Sequence, residues 1–422
     1  MPKAFDINQD FLGRLVAVEC PDATYRAKAP ALVMHRAAGS NIWDVAGRQY
    51  VDLCAGFGAL PHGHNAPSLK RVFALHVAAD AEPIEHGMGD VYPSRSKIEL
   101  LEFLNQVVGR SAPFLNKTAL ALTGSQAVEL ALKTAMLKTR RPNFISFDGS
   151  YHGVDLGVLP VTWRKDFRDP FSQYASLSRG TSLPFNCSLE LVKETGHALA
   201  TAGGVAAIIV EPIQGRAGTI LPNSGWLAGL RKAADDLGAL LIFDEIFVGL
   251  GRCGIWTFAD QGPCDLLCLG KALGNGMPLS ACMGTDEAMG AWPESTGEAI
   301  HTGTFFGHPL SCAVGLEGLR DMVEQNLPAR AAELGKSVQA LLTHLAVEKK
   351  FPGAIRGQGL MITIDGMVDG WGARAMDRLR TDGIIALASG AGGRCLSLSP
   401  SLNIDEALLL SSVRTIAHRL FN

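Results

Sequence analysis

Between Thr118 and Met283, short apolar runs alternate with amphipathic stretches of helical period. Runs of strand length occupy Thr118–Leu122, Asn143–Phe147, Val205–Val210, Leu240–Phe243, Leu266–Leu269 and Leu279–Met283. They are too short for confident helices, and unbroken apolarity suits a strand buried on both faces. Ala127–Lys138 and Trp226–Leu237 read as helices between them; in the first, Val128, Ala131, Leu132, Ala135 and Met136 share one side. Such alternation predicts an α/β fold, a mostly parallel sheet covered by helices on both faces.

The flanks have a different texture. Residues 30–55 read as a small hairpin turning at Asp44-Val45-Ala46-Gly47. Residues 310–422 open with a long helical pattern and continue through strand-like stretches at Ile355–Ile364 and Ile384–Leu398, as in a smaller α+β lobe. At 422 residues the chain exceeds what one core holds. We expect an amino-terminal segment over 1–55 that joins the small domain, a large domain over 56–305 and the small domain over 306–422. No repeat or low-complexity linker separates these parts, so they should pack directly together.

Composition narrows the functional classes. With 47% hydrophobic and 19% charged residues the chain can bury a large core. A net charge of −3 without a run of Lys or Arg argues against nucleic acid or anionic membrane as partner. Glycine, at 47 residues, exceeds the usual ~7% and suits tight turns close to a ligand. The nine cysteines include no C-x-x-C pair, and Cys253, Cys264 and Cys268 lack a fourth ligand at finger-like spacing, so no metal site is expected. Met1–Asp10 has no apolar segment of signal-peptide type and no stretch reaches transmembrane length, which points to the cytoplasm.

Two of the apolar runs deliver a charge where they stop: Leu240–Phe243 ends in Asp244, and Leu266–Leu269 leads through Gly270 to Lys271. In an open parallel sheet that is the carboxyl edge, where ligands bind. Burial favours the neutral amine, which can condense with an aldehyde. A nearby aspartate is the counter-charge that a protonated pyridine nitrogen needs, so the pair suggests pyridoxal phosphate; a structural ion pair is the plain alternative.

Other segments also sit at strand ends. Thr123-Gly124-Ser125-Gln126 opens a helix, where free N–H groups and a hydroxyl suit an anion or serve as a simple cap. Asp148-Gly149-Ser150-Tyr151-His152-Gly153 places an aromatic ring at the edge, and Val210-Glu211-Pro212-Ile213-Gln214-Gly215 places a carboxylate there. Gly249-Leu250-Gly251-Arg252-Cys253-Gly254 matches G-x-G-x-x-G, which would suit a nicotinamide dehydrogenase. It neither follows a strand directly nor opens a long helix, so we read it as a glycine-rich loop. Gly303-Thr304-Phe305 before His308-Pro309 could bond a phosphate or cap a helix.

In this order, together with Asp44-Val45-Ala46-Gly47-Arg48 and Asp244-Glu245-Ile246, these segments resemble class III pyridoxal-phosphate-dependent aminotransferases of fold type I over nearly the whole chain. The resemblance implies a seven-stranded sheet in a large domain and ping-pong chemistry. It makes Lys271 the lysine that binds the cofactor's aldehyde and later shuttles a proton, and Asp244 the partner of the pyridine nitrogen. It assigns Gly124 and Ser125 to the phosphate, Tyr151 and Ile246 to the two ring faces, and Glu211 to the ring hydroxyl side. Thr304 would reach the phosphate of the neighbouring subunit, which implies a homodimer with shared sites.

The chain also departs from the family. Ornithine-type members carry a glutamate where Arg216 stands, paired with an arginine where this chain has Ser397; amine–pyruvate members carry a mobile arginine near Gly390. The missing pair points to a small 2-oxo acid acceptor such as pyruvate, with Arg216 or Arg394 binding its carboxylate and Phe57 and Phe247 lining the substrate pocket. Overall likeness suggests an amine donor of long-chain or amino-polyol kind, like the aminopentol of hydrolysed fumonisin. The alternative is an isomerase of the same fold, a glutamate-1-semialdehyde 2,1-aminomutase or a racemase.

Overall fold

The computed structural model describes residues 6–21, 23–24, 31–76, 91–297 and 299–421. Met1–Phe5, part of the segment read as lacking a signal peptide, and residue 30 of the expected hairpin lie outside them. Strands β1 (Met34–Ala38), β2 (Asn41–Asp44) and β3 (Gln49–Asp52) come first. The central strands are β4 (Lys117–Ala121), β5 (Asn143–Phe147), β6 (Gly180–Leu183), β7 (Val205–Val210), β8 (Leu240–Asp244), β9 (Leu266–Leu269) and β10 (Ser280–Gly284). Five more close the chain: β11 (Ala354–Gln358), β12 (Met361–Asp365), β13 (Ile384–Ile385), β14 (Leu387–Ser389) and β15 (Cys395–Leu398).

The central strands form a seven-stranded sheet in the order β4-β10-β9-β8-β7-β5-β6. β5 to β9 pair in parallel, while β10 lies antiparallel between β9 and β4. Side chains alternate across it with period two. Ala207, Ile209, Ile242 and Cys268 meet Val128, Ala131 and Ala135 of the helix Gly124–Thr139 on one face. Ile208, Leu241, Phe243 and Leu267 join the core that contains Trp226, Leu230 and Ala234 of the helix Trp226–Leu237 on the other. This double covering is why the strands read as unbroken apolar runs.

Three expectations need correction. The helix expected from Ala127 starts at Gly124, because Thr123 caps it: its hydroxyl accepts from Gln126 N while the Gln126 side chain accepts from Thr123 N. Strand β6, Gly-Thr-Ser-Leu at the sheet edge, has no apolar run to announce it. The single hairpin is a three-stranded meander extended by β13, which pairs in parallel with β3 and ties the amino-terminal strands to the carboxyl-terminal region. That region also forms an antiparallel sheet, β11-β12-β15-β14. Among the described residues no helix is long and apolar enough to cross a membrane, and no group of His, Cys, Asp or Glu could hold a metal ion.

Candidate active site

The parallel strands all end at one edge of the sheet, so the loops after β4, β5, β7, β8 and β9 converge. They line a cleft of about 390 Å³ that contains Gly124, Ser125, Tyr151, Glu211, Arg216, Asp244, Ile246, Phe247 and Lys271. That volume is in the usual range for small-molecule sites.

Lys271 enters just past β9 with φ +43°, a left-handed backbone that a residue with a Cβ adopts at a cost of roughly 1–2 kcal/mol. Its amine makes no hydrogen bond or ion pair among the described residues and lies 4.5 Å from the centre of the Phe247 ring. Burial lowers its pKa, and Arg216 and Arg252 act in the same direction; Asp244 and Glu211 oppose them. The net shift favours a neutral, nucleophilic amine.

Asp244 ends β8, and its two oxygens are held separately. Ile246 N donates to Oδ1 (3.1 Å), and His152 donates from Nδ1 to Oδ2 (2.7 Å). The ionised carboxylate only accepts, which assigns the proton to Nδ1. Glu211 accepts from Tyr151 N (2.9 Å) and Gly215 N (3.1 Å). Burial raises its pKa to about 7, with Asp244 adding to the rise and His152 opposing it.

Three glycines permit this packing. A Cβ on Gly153, whose φ is +114°, would overlap the Ser125 hydroxyl, and one on Gly124 would lie 2.8 Å from Ile246 Cδ1. A side chain on Gly215 would overlap the Phe247 ring. Ser125 stands second in its helix, where Thr123 already serves as cap, and it lines the cleft at the helix's first turn. Helix starts of this kind attract anions.

A class III aminotransferase family model matches residues 23–420. The chain belongs to the class III aminotransferases. An acetylornithine aminotransferase from Methanosarcina mazei is 31% identical over 336 residues, 79% of this chain and 79% of that protein. The ornithine aminotransferase from Toxoplasma gondii superposes with TM-score 0.85 at 25% identity, covering 99% of this chain and 95% of that one. An amine transaminase from an uncultivated Pseudomonas species, solved in its PLP-bound form, gives 0.82 at 26% identity over 95% and 98% of the two chains.

Class III aminotransferases are fold type I enzymes that depend on pyridoxal 5'-phosphate, and the donor set in this cleft fits that group. An unpaired amine, an oriented carboxylate and a helix start cleared of Cβ atoms occur within one cavity. Two residues expected to line the substrate pocket, Phe57 and Arg394, are not among those lining this cleft, and Thr304, expected to serve the neighbouring subunit, also stands apart from it. Thr304 is exposed on the turn before the helix Pro309–Glu324, outside this cleft. Phe57 is 51% exposed on a left-handed turn, Ala55–Gly58, and Ala59 reaches the cleft instead. Arg394 is taken up by Asp365, to which Nε and Nη2 both donate (3.2 and 2.6 Å). His152 was not foreseen as an active-site residue, although Tyr-His-Gly after a strand was its signal.

The Gly249–Gly254 loop closes on itself through Gly251 N to Ile255 O and Leu250 N to Trp256 O, and opens no helix. Its Arg252 is buried and donates to the carbonyls of Leu360 (3.1 Å) and Pro400 (2.6 Å).

Proposed function

We propose that the protein moves an amino group from an amine without an α-carboxylate to a small 2-oxo acid, pyruvate above all, in two half-reactions on one site. The observation that carries this reading is Arg216. Its guanidinium sits 5.0 Å from the centre of the Tyr151 ring in the cleft wall and makes no hydrogen bond or ion pair among the described residues. An unpaired, half-buried guanidinium favours an anionic ligand group, and a carboxylate can meet it through two hydrogen bonds. The cleft's remaining wall, with Phe247, Met277, Pro278 and Leu279, is apolar and suits a long-chain or amino-polyol donor.

Within this reading Lys271 is the nucleophile and the proton carrier, and Asp244, oriented by His152, keeps the pyridine nitrogen protonated. Gly124 and Ser125 hold the phosphate, Tyr151 and Ile246 bracket the ring, and Glu211 faces its hydroxyl side. Bound there, pyridoxal phosphate supplies a reactive aldehyde and an electron-accepting ring. The exposed Thr304 is proposed to serve the site of a second copy in a homodimer; an active species sedimenting at the 44.8 kDa of one chain would overturn this.

The test is a panel of amines offered to the holoenzyme with pyruvate or with 2-oxoglutarate. We expect alanine in stoichiometric amount with a carboxylate-free amine. Turnover with 2-oxoglutarate alone would refute the acceptor assignment, and product formed with no added oxo acid would identify an isomerase.

A further inference from the structure

We propose that a ladder of hydroxyls centred on the buried Thr363 positions Arg216, and so sets the affinity of the enzyme for the carboxylate of its oxo acid. The inference rests on the assignment of Arg216 above. Arg216 stands on the short loop 215–219, between the bridged residues Gln214 and Ile220. Within the loop, the links to the carboxyl-terminal sheet are specific. Gly390 N donates to Arg216 O (2.9 Å), and Arg356 Nε donates to Gly218 O (2.6 Å). Thr219 Oγ1 shares a hydrogen bond with Thr363 Oγ1 (2.8 Å).

The Thr219 contact continues as a chain. Thr363 bonds Ser397 (3.1 Å) on β15, and Ser397 bonds Ser389 (2.5 Å) on β14. Thr219 and Thr363 are fully buried, so an unmade bond at either would strand a polar atom away from water. Thr219 also has φ +56°, a backbone that a β-branched residue holds only when its surroundings impose it. The hydroxyl bond to Thr363 is such a constraint, three residues from Arg216.

Two neighbouring arginines are removed from competition for the anion. Asp365, two residues beyond Thr363, accepts from Arg356 Nη1 (2.9 Å) and Arg394 Nη2 (2.6 Å). Ser397, on β15, is a rung of the ladder. Thr363, Thr219 and Ser397 are thus positioning residues for the loop that carries Arg216.

The experiment compares Thr363→Val, Thr363→Ser and Arg216→Met as holoenzymes. Thr363→Val should raise the KM for pyruvate about ten-fold, with kcat and the KM of a carboxylate-free amine within about two-fold. Thr363→Ser, which keeps the hydroxyl, should restore the KM. In the Arg216→Met background, where pyruvate binding is already weak, Thr363→Val should add less than about two-fold. Calorimetric titration of pyruvate into Lys271→Ala, with and without Thr363→Val, gives the same comparison without turnover. Should Thr363→Val fail to fold, Ser397→Ala at the outer rung replaces it.

An unchanged pyruvate KM in Thr363→Val, or an effect that persists in full beside Arg216→Met, would overturn the proposal. An unchanged pyruvate KM in Arg216→Met would instead overturn the assignment of Arg216.

Discussion

Glu245→Gln should change how the stability of this aminotransferase depends on pH. Glu245 is 1% exposed; Oε1 accepts from Thr257 Oγ1 (2.9 Å) and Phe258 N (2.8 Å), and Oε2 has no partner among the described residues. Burial pushes its pKa from 4.5 up to about 8; the two donors pull it down, and Asp260 and Asp244 push it further up. Between those values the folded protein keeps a proton that the unfolded chain releases. The associated stability is therefore complete below pH 4.5 and is lost as pH rises through 8. At about 1.36 kcal/mol per unit, the full loss is on the order of 5 kcal/mol.

Glutamine resembles the neutral acid and cannot ionise, so its stability should not fall over this interval. Its unpaired amide costs roughly 1–3 kcal/mol at every pH. Urea unfolding of both holoenzymes from pH 5 to pH 9 should therefore show wild type ahead at pH 5 and the variant ahead at pH 9. A difference between the two that stays constant across that range would refute a buried neutral acid at position 245.

Gly153→Ala places a Cβ onto the Ser125 hydroxyl at φ +114°, a strain of roughly 1–3 kcal/mol at the helix start. Pyridoxal-phosphate affinity, read by fluorescence titration of the cofactor-free protein, should fall at least about ten-fold, and wild-type affinity would remove the phosphate from this helix start. Glu211, raised to about 7 by burial, should hold its proton below that pH and lose it above. The cofactor absorbance should therefore show an inflection near pH 7 that Glu211→Gln abolishes; an inflection that survives in the variant belongs to another group.

How much could be read in advance depended on where each element's information resides. The apolar runs that became β5, β7, β8 and β9 were legible because both sheet faces are covered, so every position in them is buried. β6 was not legible, since Gly180-Thr181-Ser182-Leu183 is held by edge pairing with β5 rather than by burial of an apolar face. The antiparallel direction of β10 was equally hidden, because an apolar run carries no sign of strand direction. At the cleft, Lys271 and Asp244 announced themselves as charges at the ends of apolar runs. His152 did not, because its role depends on a bond to a residue 92 positions away.

Local order and chemistry along the chain thus determined the family, the parallel α/β architecture and the residue types at the strand ends. These follow from periodicity, from caps and from ordered motifs, all written in neighbouring residues. Tertiary structure alone decided which charges were left unpaired. Arg394 and Arg216 look equally able to bind a carboxylate in the sequence, yet Asp365 engages the first, while among the described residues the second has the Tyr151 ring beside it and no carboxylate partner. Pairing is a matter of distances between strands far apart in the chain, and Coulomb and hydrogen-bond energies depend on those distances and on burial.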